Sequence, residues 1–303
     1  MTPRSDDRPT AVVTGATAGL GFFTAAGLAR RGHVVIVTGR NNERGQAAEV
    51  ELRRRSGGGE VRFVRADHAT VGGNLELGAT LTRRMRSLDL LVNNVGGIYA
   101  DRWETADGYE GTLAMNFVSP FALTQHLLPL LRRAGGRCVN VVSSAFTMVN
   151  GDPFADLHSQ SGYVGITAYA RAKLLNVMWM RALADREPTL TVYAANPGMA
   201  WTPSTQALTP KAVPAWRLVW PVVRWFQRRA TAEKAAQTPI RVASGDIHAP
   251  SGTYVNDKGQ PEELPDRFLD VHDLERVWAL GKTLVARATT ATPFADHHEG
   301  HGK

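Results

Sequence analysis

Short apolar runs rich in Val and Ile alternate along the chain with longer stretches in which apolar side chains recur every three or four residues. The short runs lie at 10–14, 34–38, 61–65, 88–93, 137–142 and 190–194. Segments such as Ala11-Val12-Val13 and Val34-Val35-Ile36-Val37 are apolar at every position, which suits strands covered on both faces, and the intervening stretches suit crossover helices. The pattern predicts an α/β fold built on a doubly wound parallel sheet. Ser56-Gly57-Gly58-Gly59 reads as a helix stop and turn rather than a linker. With no internal repeat or composition break, one domain is expected over 1–288. Residues 289–303, with His297, His298 and His301, lack an apolar pattern and read as a mobile tail rather than a metal site.

Composition narrows the possibilities. At 303 residues and 43% hydrophobic content the chain can bury one sizeable core. It has no run of the ~18 to 20 apolar residues needed to span a bilayer, and its first nine residues are polar, so a cytoplasmic location is expected. Cys138 is the only cysteine, which excludes an internal disulfide, and its place in the apolar run at 137–142 makes it a core residue. The net charge of +7 comes from arginines scattered along the chain rather than from one basic block. That distribution argues against a nucleic-acid partner and suits an anionic cofactor.

The stretch Thr14-Gly15-Ala16-Thr17-Ala18-Gly19-Leu20-Gly21 follows the first strand and opens a helix. Gly15, Gly19 and Gly21, with Thr17 and Leu20 between them, can let the backbone approach a pyrophosphate, or can simply bend the chain. The second strand ends at Arg40, where an acid usually meets a ribose 2′-hydroxyl. A guanidinium there pairs with a 2′-phosphate, so NADP(H) is favoured over NAD; Arg44, a turn later, either adds a contact or is solvated. Asp67-His68 and Asn93-Asn94-Val95-Gly96 end the third and fourth strands, at the edge of the sheet that holds ligands. Asp67 suits an adenine amino group or caps a helix, and the Asn-Asn pair lines the ligand or makes a turn.

Tyr169 and Lys173 stand four residues apart in a helical pattern and so share a face. A phenol ionises near pH ~10, about three units above the range that suits proton transfer, and a neighbouring ammonium lowers that value. An exposed surface pair is the alternative. Val142-Ser143-Ser144 ends the fifth strand, and we take Ser144, in preference to Ser143, as a donor to a substrate carbonyl. Asn116, polar among apolar neighbours in a helix, either bonds its own backbone or holds a water.

In their order and separation these features resemble the short-chain dehydrogenase/reductase family, with its Rossmann-type fold: Thr-Gly-x-x-x-Gly-x-Gly at 14–21, Asn93-Asn94-x-Gly96, Asn116, Ser144, Tyr169-x-x-x-Lys173 and Pro197-Gly198. The resemblance spans residues 10 to about 255. It implies that Tyr169 is the acid/base, that Lys173 binds the nicotinamide ribose and lowers the tyrosine pKa, that Ser144 orients the substrate, and that Asn116 holds a proton-relay water. It further implies that Pro197 and Gly198 shape the backbone under the nicotinamide and that Thr202 touches its carboxamide. The long interval from Ser144 to Tyr169, together with Ala168-Tyr169-Ala170-Arg171-Ala172-Lys173-Leu174-Leu175-Asn176 and Ser251-Gly252-Thr253-Tyr254, resembles the retinol-dehydrogenase-like and WW-domain-oxidoreductase-like branch. Val95, Ala172 and His68 depart from the usual Ala, Ser and Leu. They leave the chemistry intact but weaken any inference of substrate by analogy.

Between 211 and 229, Trp216, Val219, Trp220 and Val223 fall at helical spacing, with Arg217, Arg224 and Arg228 on another face. By family position, 203–230 is expected to be a helical substrate lid, bent or broken at Pro221, over a large apolar substrate. Contact of this segment with a membrane surface is the less favoured alternative. The expected activity is NADPH-dependent reduction of a ketone or aldehyde. The alternatives are oxidation of a lipid, steroid-like or polycyclic alcohol with NADP, and a non-catalytic NADP(H)-binding sensor. Family precedent also raises a homodimer.

Overall fold

The computed structural model describes residues 8–206 and 208–291. Six parallel strands form where the apolar runs fall: β1 (Thr10–Val13), β2 (Val34–Gly39), β3 (Val61–Arg65), β4 (Leu90–Asn93), β5 (Arg137–Val141) and β6 (Thr191–Ala195). Two more complete one sheet in the order β3-β2-β1-β4-β5-β6-β7-β8: β7 (Thr253–Val255), parallel to β6, and β8 (Pro261–Glu262), antiparallel to β7. Neither was expected as a strand. With three residues and two they are too short to carry a period, and only pairing with β6 selects them.

Alternate residues of each strand feed opposite cores. Ala11 and Val13 belong to one cluster with Leu28, Val35 and Val92, and Val12 belongs to the other with Ile36, Leu91 and Trp179. Helices α1 (Gly19–Arg30) and α2 (Asn42–Arg55) follow β1 and β2; α3 (Val71–Arg84), α4 (Ser119–Ala134) and α5 (Gly165–Arg186) follow β3, β4 and β5. Asn41 and Thr70 cap α2 and α3 by accepting from the backbone N–H of Arg44 and Gly73. Cys138 is buried as expected, and burial pushes its thiol up to about 12, so it is unreactive at neutral pH.

Because strand order reverses between β1 and β4, the crossover helices leave toward opposite faces there and open a crevice at the strands' carboxyl ends. The loops after β1, β2, β4, β5 and β6 all reach it.

Of the two effects expected of Pro221 the segment at 214–229 shows a break: a 3-10 turn, Pro214–Val219, precedes helix α6 (Trp220–Arg229), and Pro221 sits in the first turn of α6, where its missing N–H costs nothing. Of its apolar stripe, Trp216 and Val219 are exposed and Trp220 and Val223 half-buried. After α7 (Gln237–Ser244), the last helix, α8 (Val271–Ala291), carries 289–291 as helix rather than tail. The three histidines at 297, 298 and 301 lie outside the described residues. Among the described residues no helix is long and apolar enough to cross a membrane, and no His, Cys, Asp or Glu cluster could hold a metal.

Candidate active site

Gly15 and Gly19 adopt φ of 62° and 59°, the left-handed region that lets the chain turn sharply from β1 into α1. The N-cap of α1, Ala18, offers no side-chain acceptor, and the first turn holds no acid. The leading N–H groups and the positive end of the helix dipole are therefore left for an anion. Gly15, Thr17, Gly19, Leu20 and Gly21 line one wall of a cleft of about 360 Å³. A Cβ on Gly21 would stand 2.5 Å from Asn94 Nδ2 and 2.8 Å from the Gly15 carbonyl, so glycine is required for packing as well. Asn94 clamps this turn, its Nδ2 donating to the carbonyls of Thr14 at 2.9 Å and Gly15 at 3.3 Å. Both readings of the Asn-Asn pair hold at once, since Asn94 also lines the cleft.

The cleft continues past Gly15, Thr17, Val95, Tyr99 and Met115 into a second compartment of about 580 Å³ bordered by Arg40, Arg44, Asp67 and His68. Arg40 and Arg44 are exposed and stand on the same rim. Asp67 accepts from the Ala69 N–H at 3.0 Å and so shapes the turn while bordering the pocket. His68 is held from two sides. Its ring is buried, with Nε2 2.7 Å from the Thr38 hydroxyl and Nδ1 2.8 Å from Asn74 Oδ1. Burial lowers its pKa, so the imidazole is neutral, and its ring nitrogens pin β2 to α3 while the residue borders the compartment.

At the other end, Tyr169 and Lys173 of α5 both line the cleft. Lys173 is 3% exposed, its Nζ donates to the Val141 carbonyl at 2.8 Å, and it lies 5.6 Å from the centre of the Tyr169 ring. Burial pulls Lys173 down to about 7 and pushes Tyr169 up to about 12, with the Ser143 hydroxyl pulling the phenol back. Desolvation thus outweighs the mutual effect expected of the pair, and lowering the phenol requires further charge in the cleft. Of the two serines, Ser143 lines the cleft beside Tyr169, whereas Ser144 is exposed at the start of a 3-10 turn, Ser144–Met148.

Asn116 lies in a π-helical turn, Ala114–Val118, that leads into α4. Its side chain bonds backbone: Nδ2 donates to the carbonyls of Gly97 at 2.9 Å and Thr112 at 2.8 Å, and Oδ1 accepts from Gly97 N–H at 3.1 Å. It thereby holds the Gly96-Gly97 loop, where a Cβ on Gly96 would approach Asn116 Oδ1 at 2.4 Å and Lys173 Nζ at 3.3 Å. The Asn116 carbonyl accepts from Asn176 Nδ2 at 2.7 Å, which ties the π-turn to α5. Asn176 shares the helix face of Tyr169 and Lys173, a signal present in the sequence but unused.

Pro197, Gly198 and Thr202 all line the cleft opposite the glycine turn. Gly198 has φ of 71°, and its N–H donates to Asn196 Oδ1, whose Nδ2 donates to the Tyr254 hydroxyl at 2.9 Å. Asn196 was missed, although Asn before Pro-Gly is a turn signal. Thr205, also missed, lines the cleft and donates from Oγ1 to the Ala200 carbonyl at 2.7 Å. Arg224 of α6 braces this wall by donating to the Thr205 carbonyl at 3.0 Å, with its guanidinium 4.5 Å from the centre of the Trp201 ring.

A dinucleotide-sized cleft at the reversal of a doubly wound sheet, with a phenol and an ammonium at one end, defines an oxidoreductase of the nucleotide-binding kind. A family model described as short chain dehydrogenase matches residues 9–212. Dehydrogenase/reductase SDR family member 13 of Bos taurus is 36% identical over 91% of this chain and 72% of its own. Polyprenol dehydrogenase of Mus musculus is 33% identical over 90% and 83%, and retinol dehydrogenase 14 of Homo sapiens 32% identical over 91% and 86%. Among solved structures, an uncharacterised protein from Mycobacterium paratuberculosis superposes with a TM-score of 0.70 at 27% identity, over 94% of this chain and 98% of its own. The Pseudomonas aeruginosa RhlG/NADP complex does so with 0.63 at 26%, over 83% and 96%. The chain belongs to the short-chain dehydrogenase/reductase family, in its retinol-dehydrogenase-like branch.

Proposed function

We propose that this protein reduces a ketone or aldehyde group on a large apolar molecule, using NADPH as hydride source and Tyr169 as proton donor. The observation that carries the reading is the placement of Tyr169 and Lys173 at one end of a continuous cleft whose other end is rimmed by Arg40 and Arg44. Two guanidinium groups there suit a 2′-phosphate and have no such partner in NAD, and RhlG, a structural neighbour, was solved with NADP. The uncapped start of α1 and the close fit of Gly21 match a pyrophosphate. Bound NADPH supplies the hydride.

The chain's own groups do the rest. Lys173, buried and already donating to Val141, has further N–H groups for ribose hydroxyls. Ser143, which lines the cleft and faces the phenol, is placed to donate to a substrate oxygen, the role expected of Ser144, which does not line the cleft. As negative charge develops on the carbonyl oxygen, the Tyr169 O–H transfers its proton to it. The apolar side chains of Ile98, Met115, Val142 and Ala200 line or border the same cleft and favour an apolar substrate.

The test is NADPH consumption with a panel of bulky ketones and aldehydes. Turnover by the wild type that is lost in Tyr169→Phe supports the reading, and equal rates overturn it. NADPH binding without turnover on any substrate would favour the sensor. The names of the polyprenol and retinol relatives favour the reverse reaction as second reading, so NADP⁺ reduction with long-chain and polycyclic alcohols belongs in the same panel. Separately, Ser143→Ala is expected to lower kcat by about 10- to 100-fold through loss of one donor, whereas Ser144→Ala should leave kcat near wild type because Ser144 does not line the cleft. Ser143→Ala should also move the pH profile, by raising the phenol pKa, and parallel pH–rate curves for the two variants check the division.

A further inference from the structure

The segment that follows Thr205 turns several apolar side chains to solvent. Val222 and Trp225, at i and i+3 of α6, are 57% and 51% exposed and share a face, and Leu218 and Val219, in the 3-10 turn just before it, are 95% and 49% exposed. The same stretch is uniformly basic: residues 188–232 contain Lys211, Arg217, Arg224, Arg228 and Arg229 and no Asp or Glu. Lys211 is paired with Asp101, and Arg224 is engaged with Trp201 and the Thr205 carbonyl. Among the described residues Arg217, Arg228 and Arg229 meet no carboxylate, and the guanidinium of Arg229 lies over the Trp225 ring.

We infer that this face, from Trp216 to Arg229, docks on an anionic lipid surface. Aliphatic and Trp side chains flanked by guanidinium groups match the boundary between acyl chains and anionic headgroups. A second copy of the chain is a poorer occupant, because apposed faces would bring like charges together without a compensating acid. The docked face adjoins the cleft directly: Arg224 bonds Thr205, which lines it. An apolar substrate dissolved in lipid would then lie next to the site mouth. The inference goes beyond the proposed reaction and does not depend on it.

The experiment is flotation of the full chain with phosphatidylcholine vesicles with and without phosphatidylglycerol. Wild type is expected to float with the anionic vesicles at low salt, less at high salt, and weakly with phosphatidylcholine alone. The double variant Leu218→Asp, Val222→Asp should reduce the bound fraction about tenfold or more, since charge replaces the inserting groups and is repelled by the headgroups. Its thermal melting and NADPH binding, read by fluorescence, should match wild type. Absence of flotation with anionic vesicles at low salt, or equal flotation of the variant, overturns the inference. So does light scattering that shows a wild-type dimer which the double variant dissociates, because a second copy then covers this face. None of these readouts needs turnover, so failure of the carbonyl-reductase reading would leave this result intact, and the reverse.

Discussion

Tyr169→Phe is expected to lower kcat for carbonyl reduction by about 10²- to 10⁴-fold, the range for removing a positioned proton donor, with little change in NADPH affinity. The ring stays and only the hydroxyl goes, so the packing of α5 is preserved and binding serves as the control. The surroundings of the phenol make the pH dependence informative. With burial holding Tyr169 near 12 and Lys173 near 7, the proton sits on the phenol throughout the neutral range, the form that reduction requires. Oxidation needs phenolate and so needs the nearby positive charge. Anions or hydroxyl groups brought to Lys173 stabilise its ammonium, raising the lysine and lowering the phenol together. In wild type the reductive rate should therefore fall, and the oxidative rate rise, as pH climbs toward the phenol pKa. Stopped-flow single turnovers in both directions across pH measure this, and a pH-independent ratio would remove Tyr169 from the proton transfer.

Arg40→Glu is expected to invert the cofactor preference, weakening NADPH by about 100-fold while improving NADH, as read from kcat/KM for each. A guanidinium on the rim gives a charge-assisted pair to a 2′-phosphate, and a carboxylate there repels that phosphate but accepts from a 2′-hydroxyl. Arg40 is exposed, so the substitution removes no core contact and the melting temperature should stay within about 2 °C. Arg44 shares the rim, which makes a residual NADPH preference after Arg40→Glu a measure of its share. If NADPH and NADH constants are both unchanged, the 2′-phosphate is not read at this position.

Most of the site was legible because its parts are local. Gly15, Gly19 and Gly21 signal a turn by residue type alone, Arg40 and Asp67 lie at strand ends that the apolar runs mark, and Tyr169 and Lys173 share a face through helix geometry. What stayed open depended on neighbours distant in sequence. That the ring of His68 joins Thr38 to Asn74 beside the cofactor compartment could not be read from its place after Asp67. Nor could the bonds of the Asn116 amide to Gly97 and Thr112 be read from its place in a helix. Helical spacing at 211–229 does not say which of its apolar side chains are covered, because a stripe is covered only if something packs on it.

Periodicity and residue type by themselves determined the parallel sheet, the glycine turn, the core place of Cys138 and the Tyr-Lys pair, because each follows from backbone sterics or from spacing along one element. The tertiary structure alone decided that β7 and β8 extend the sheet, that Ser143 rather than Ser144 faces the phenol, that burial opposes the ionisation of both Tyr169 and Lys173, and that Leu218 and Val222 face solvent. The physical reason is common to all four: pairing, desolvation and exposure are set by which atoms come near from elsewhere in the chain.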